Sequence, residues 1–128
     1  MSIPISRPIV GEAEVEAVAA VLRSGKLAGG PNVARFEELF AVTCEVPFAV
    51  AVGSGTAALQ IGLMAAGIGP GDEVIVPSFS FAATANVVRL VGASPVFVDV
   101  DPHTYCLTAE AVASAVGPRT AGVMPVHL

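Results

Sequence analysis

The stretch that most constrains this chain is Phe48-Ala-Val-Ala-Val52 followed by Gly53-Ser-Gly-Thr-Ala-Ala-Leu59. A short apolar run rich in valine reads as a buried parallel strand, the central one of the chain. It breaks at Gly53 and Gly55, residues able to take φ > 0 and to let the backbone approach a ligand. Ser54 or Thr56 then caps a helix over 57–66, a segment of strong helix formers. Strand, glycine turn and helix N-terminus together make an anion site, because unpaired N–H groups and the helix dipole both favour negative charge there. The stretch reads as a phosphate cradle, although packing alone also accounts for Gly and Ser at such a turn.

The residues downstream of the cradle narrow the choice of phosphate ligand. Gly53-x-Gly55-x-x-Ala58 fits the relaxed dinucleotide fingerprint. That reading asks for a carboxylate at the end of the next strand, about 20 residues on, to hold a ribose. The next strand is Glu73-Val-Ile-Val76, and it runs into Pro77-Ser-Phe-Ser-Phe81 with no carboxylate. A P-loop is excluded, since no Gly-Lys-Ser/Thr succeeds the glycines. A cofactor with a phosphate and a flat ring, covered by an aromatic, fits better.

At 128 residues the chain is one domain at most, and 54% hydrophobic against 13% charged content is too apolar for disorder. Residues 46–71 carry no charge, but Pro and Gly punctuate them, so they read as a covered sheet and not as a membrane span. A net charge of −5 with one lysine and five arginines leaves no basic stripe for nucleic acid. No apolar leader core stands at the N-terminus, and Cys44 and Cys106 read as reduced packing thiols, which points to the cytoplasm.

Taken in order, residues 11–24 read as an amphipathic helix burying Val15, Val18, Ala19 and Leu22, with Gly25 behind it. A second helix enters through Pro31 and shows Val33, Phe36 and Phe40 on one face, Glu37 and Glu38 on the other. Strands are expected at 73–76, 95–100 and 121–126. Ser80 is expected to cap a helix over 81–91 that is apolar nearly all round, and Thr108 one ending at Val116. Alternating strands and helices call for a parallel sheet with right-handed crossovers. Four apolar strands, the last with no helix after it, read as an N-terminal piece of a larger α/β domain.

The motifs GSGTAAL, GPGDEVIVPSFSFAATANVV and PVFVDVDPHTYCL stand in this order, with SRPIVGEAE and SGKLAGGPNVARFEELFA before them and PVHL after. On these residues the chain resembles the DegT/DnrJ/StrS-type nucleotide-sugar aminotransferases, fold-type I enzymes that use pyridoxal 5'-phosphate (PLP). The resemblance covers essentially all 128 residues and about the first third of a family member. It implies the N-terminal part of the family's large domain, an α/β fold with a mostly parallel sheet and helices on both faces. Residues 1–46 would be an N-terminal helical segment with a substrate-side loop, and residues 47–128 the first part of the PLP-binding domain. It further implies a nucleotide-linked keto-sugar as acceptor, glutamate as amino donor, and a homodimer. The N–H groups of Thr56 and Ala57, with Gly55 beside them, would hold the phosphate, and Phe81 would stack on the pyridine ring. Read without the family, Phe81 is an ordinary core phenylalanine.

The family's Schiff-base lysine and pyridinium carboxylate lie beyond Leu128, and the sole lysine here, Lys26, precedes the cradle. No catalytic residue is therefore assigned, and the 128 residues alone are expected to be inactive. Lys26 reads as a solvated loop lysine with a weak substrate role under the resemblance. Asp99, Asp101 and His103 read as the close of a strand and the cap of a turn rather than as a metal site. His127 is given no role. Two other classes compete: an NAD(P)-binding Rossmann domain, and a non-catalytic truncated homologue.

Overall fold

A computed structural model describes Ile3 and residues 6–128. Residues 1–51 and 52–128 form two compact units. In the first, α1 (Glu12–Ser24) and α2 (Pro31–Thr43) are helices. The Gly11 N–H donates to Glu14 Oε2 at 2.7 Å, and Gly25 closes α1 with φ 68. Pro31 occupies the first turn of α2, where its missing N–H costs nothing. The expected apolar faces are present but uncovered: α1 has no buried residue, α2 only Ala41, and Phe36 and Phe40 meet each other at 5.6 Å while staying half exposed. Glu37, expected to face water, is partly buried and accepts the Ala51 N–H at 2.8 Å.

The strand expected at 48–52 does not form. Phe48 and Val50 are 87% and 79% exposed, and the Ala51 N–H goes to a carboxylate, not to a neighbouring strand. An apolar valine run supplies β propensity, but a strand exists only when a partner edge takes its ladder bonds. Neither Gly53 nor Gly55 uses its freedom to take positive φ.

The second unit holds α3 (Gly55–Ala65), β1 (Glu73–Pro77), α4 (Ala83–Leu90), β2 (Ser94–Val98), α5 (Ala109–Ala115) and β3 (Thr120–Val123). The sheet is parallel with order β2-β1-β3, so three described strands stand where four were expected, and β1 is the central one. Glu73 pairs with Ser94 and Val76 with Phe97; Val74 pairs with Gly122 across a register shift. β1 is buried from Val74 to Pro77 on both faces, as a central parallel strand must be. Val74 and Val76 point to one face and join Leu63, Val87, Val88 and Ala93 in the core; Ile75, fully buried, points to the other.

Helix α4 corrects a second expectation. It begins at Ala83 and is one-sided: Ala83, Thr84, Val87 and Val88 are buried while Asn86, Arg89 and Leu90 face out. Ser80 caps no backbone group of it; its hydroxyl meets Thr84 Oγ1. Thr108 does cap α5, accepting the Ala111 N–H at 3.2 Å.

The direction of the helices fixes where the two expected site segments lie. Gly92 closes α4, and a Cβ built on it would meet Pro70 Cγ at 2.9 Å, in the turn that succeeds α3. Helices α3 and α4 pack together, and their C-terminal ends meet at that contact. They therefore run in the same direction. Their N-termini share the opposite end, where β1 also finishes and passes into the 78–82 loop. In a parallel α/β sheet, ligands bind at that edge.

Candidate functional site

The site is built at the carboxyl edge of the second unit, and its first part is the start of α3. Ser54 is extended (φ −166, ψ 163), and its Oγ accepts the Ala57 N–H at 3.1 Å. The ladder proper begins with Ala58 N–H to Ser54 O at 3.0 Å. Among the described residues, the N–H groups of Gly55 and Thr56 donate to nothing, and both residues are exposed. Of the three cradle residues expected from sequence, two thus present open donors, while Ala57's is engaged by the cap. A Cβ on Gly55 would have nothing within 4 Å, so the approach is open. Two aimed donors on the positive end of an eleven-residue helix fit a phosphate group.

The second part is the loop from Ser78 to Ala82 between β1 and α4. Its Phe81 is 81% exposed. It borders a cleft of about 300 Å³ with Pro77, Ser78, Ser80, Thr84 and Phe97. Phe81 is therefore no core residue. It stands at the same edge as the α3 N-terminus, without a protein ring packed on it among the described residues. Gly55, Thr56 and Ala57 do not line the cleft itself.

The third part is the turn after β2. Asp101 Oδ1 accepts the N–H groups of His103 and Thr104 at 2.9 and 2.8 Å, the turn-capping role expected of it. These two bonds, Thr104's first, hold its carboxyl below the ordinary value of 3.8. Asp101 and Cys106 close the turn through Asp101 N–H to Cys106 O at 3.0 Å. Tyr105, inside it, sits at φ 57, and its ring lies 5.5 Å from that of Phe79. A turn was expected here from the residue types, but that ring pairing was not, because nothing local links two residues so far apart in the chain. Among the described residues no three His, Cys, Asp or Glu side chains gather as a metal site, and no helix is long and apolar enough to cross a membrane. His127 is exposed just past β3.

Comparison with known proteins decides the ancestry of this arrangement. The family model of the DegT/DnrJ/EryC1/StrS aminotransferase family matches residues 8–128. The chain belongs to that family. Among solved structures it is similar to Spr1654 of Streptococcus pneumoniae, assigned as a sugar aminotransferase and solved in its PMP form. The identity there is 36% with a TM-score of 0.90, over 98% of this chain and 32% of that one. It is similar to an aminotransferase from Psychrobacter cryohalolentis at 40% identity and TM-score 0.91, over 98% of this chain and 32% of that one. A third is the NtdA protein of Bacillus subtilis with bound cofactor PMP, at 39% identity and TM-score 0.86, over 93% and 28% of the two chains. The chain thus spans about a third of the length of the structures it matches, and the fold it shares with them is the N-terminal portion of the PLP aminotransferase fold.

Proposed function

We propose that this chain supplies the phosphate cradle and the ring-covering face of a PLP-dependent aminotransferase. The acceptor would be a nucleotide-linked keto-sugar, the donor glutamate, and the product an amino sugar for polysaccharide or related synthesis. The observation that carries the reading is the pair of uncommitted N–H groups at Gly55 and Thr56, set at the same sheet edge as the exposed ring of Phe81. Spr1654 in its PMP form and NtdA with bound PMP, both similar to this chain and both solved with the cofactor's amino form, support it.

When bound, PLP supplies an electron sink through which an amino group moves between donor and acceptor. The work of this chain is to hold and orient it. Gly55 and Thr56 would donate to the phosphate, and Ala57 would join them where Ser54 shares its bond. Phe81 would cover one face of the ring, fix its tilt and exclude water from it. Lys26 is assigned a weak contact to substrate from the loop before α2. The remaining proposals are that residues 47–128 belong to the PLP-binding domain, that the protein works in the cytoplasm as a homodimer, and that these 128 residues alone do not catalyse transfer.

The test is to offer the protein that carries these residues PLP, glutamate and a panel of nucleotide-linked keto-sugars, and to monitor 2-oxoglutarate release. Release that requires both PLP and a keto-sugar is expected. Binding of NAD(P) in place of PLP, seen by calorimetry, would overturn the reading in favour of a dinucleotide domain.

A further inference from the structure

Phe81 stands exposed on the 78–82 loop, and that loop is tied down. Three contacts hold it. At its start the Ser78 N–H donates to Val98 O at 2.9 Å. Next, the Phe79 ring is packed against Tyr105, tilted by 42°. At its end the Ser80 hydroxyl meets Thr84 Oγ1 at 2.5 Å. Ser80 precedes Phe81 directly and Phe79 lies one residue further back, so both contacts act beside the exposed ring.

Two of these contacts are unusual for their surroundings. Thr84 is the polar side chain buried in the core among the described residues, at 6% exposure. A helical threonine ordinarily turns its hydroxyl to a carbonyl one turn back. Here it reaches out of the helix to a loop serine instead. Tyr105 holds a left-handed backbone that non-glycine residues seldom adopt, and only a surrounding structure that over-determines it keeps it there. The Tyr105 N–H bond to Asp101 O at 2.8 Å and the Asp101 carboxylate cap supply that surrounding. The strained residue is the one whose ring buttresses the loop.

We propose that Thr84 and Tyr105 are positioning residues for Phe81. Through Ser80 and Phe79 they lock the 78–82 loop, so that the Phe81 ring stands presented as a platform for a flat ligand ring before the ligand arrives. The inference rests on the stacking role given to Phe81 above and extends it to residues that touch no ligand.

The experiment is a set of double-mutant cycles on PLP affinity in the protein that carries these residues. Thr84→Val removes the hydroxyl at nearly constant volume, and Tyr105→Gly removes the ring while easing the left-handed backbone, so that folding is not what is lost. Each is expected to weaken PLP about 3- to 10-fold, in the range of couplings between contacting residues, and to have no effect once Phe81 is Ala. Thr84→Ser should restore wild-type affinity. A ligand-free readout comes from Phe81→Trp, read as the difference from the same protein with Phe81 intact, since residues 1–128 hold no tryptophan of their own. Its fluorescence anisotropy should fall when Thr84→Val or Tyr105→Gly is added. Equal affinity losses with and without the Phe81 ring, or unchanged anisotropy, would overturn the positioning role while leaving the stacking reading intact. Unchanged PLP affinity in Phe81→Ala alone would overturn the stacking reading and this inference with it.

Discussion

Replacing Gly55 by proline tests the cradle at a single atom. Proline removes the Gly55 N–H, one of the two open donors at the start of α3. The local structure accepts it for three reasons. Gly55 is the first residue of α3, where proline is favoured. Ser54 before it is already extended, as a residue preceding proline must be. A Cβ there has nothing within 4 Å. The substitution therefore deletes a donor without breaking the helix. A hydrogen bond to a charged group contributes about 1.5–3 kcal/mol, which is roughly 10- to 150-fold in affinity at about 1.4 kcal/mol per decade. Gly55→Ala is the control, since it keeps the N–H and adds only the Cβ. In a fluorescence titration with PLP, Gly55→Pro should bind about 10- to 150-fold more weakly than Gly55→Ala, at matched thermal midpoints. Equal affinities for the two variants would refute a cradle made from the Gly55 amide.

The same geometry sets the outcome of four further perturbations. Thr56→Ser should change PLP affinity by less than about 3-fold, because the backbone and not the methyl carries the contact; a loss as large as that of Gly55→Pro would shift the role to the side chain. Asp101 has its folded-state pKa lowered by the Thr104 and His103 N–H bonds, so its stabilisation of the turn is complete above 3.8 and fades as pH falls through the lowered value. Thermal midpoints should show that acid-side loss in the wild type and less of it in Asp101→Asn. In the core, Val87→Ala should cost about 2 kcal/mol in denaturant unfolding, since Val87 is fully buried between α4 and the sheet. Gly92→Ala should cost about 1–2 kcal/mol in the same assay from its φ of 86 alone, with the 2.9 Å approach to Pro70 adding to it.

The parts of the fold legible from the chain were those decided locally. Ser54 and Thr108 cap α3 and α5 because a hydroxyl three residues before a free N–H suffices, whatever lies elsewhere. The 73–76 strand announced itself through consecutive Val and Ile between a Gly-Asp turn and a proline. Residues 48–52 carried the same signal and form no strand among the described residues, because pairing is a property of two segments and not of one. The same limit applies to the site. Gly55 was readable as a break before a helix, and Thr56 and Ala57 came with the family resemblance, whereas the exposure of Phe81 was legible in neither. It depends on Ser80 bonding Thr84's side chain instead of capping α4, and on Tyr105 meeting Phe79 from another turn. Family resemblance supplied Phe81 where composition pointed to the core.

A crystal structure of the PLP-loaded protein that carries these residues tests the central claim most directly, by locating the phosphate. The account predicts phosphate oxygens at about 2.7–3.2 Å from the backbone nitrogens of Gly55 and Thr56, with the Phe81 ring over the pyridine face. A phosphate held by side chains elsewhere, with those two nitrogens facing only water, would contradict it.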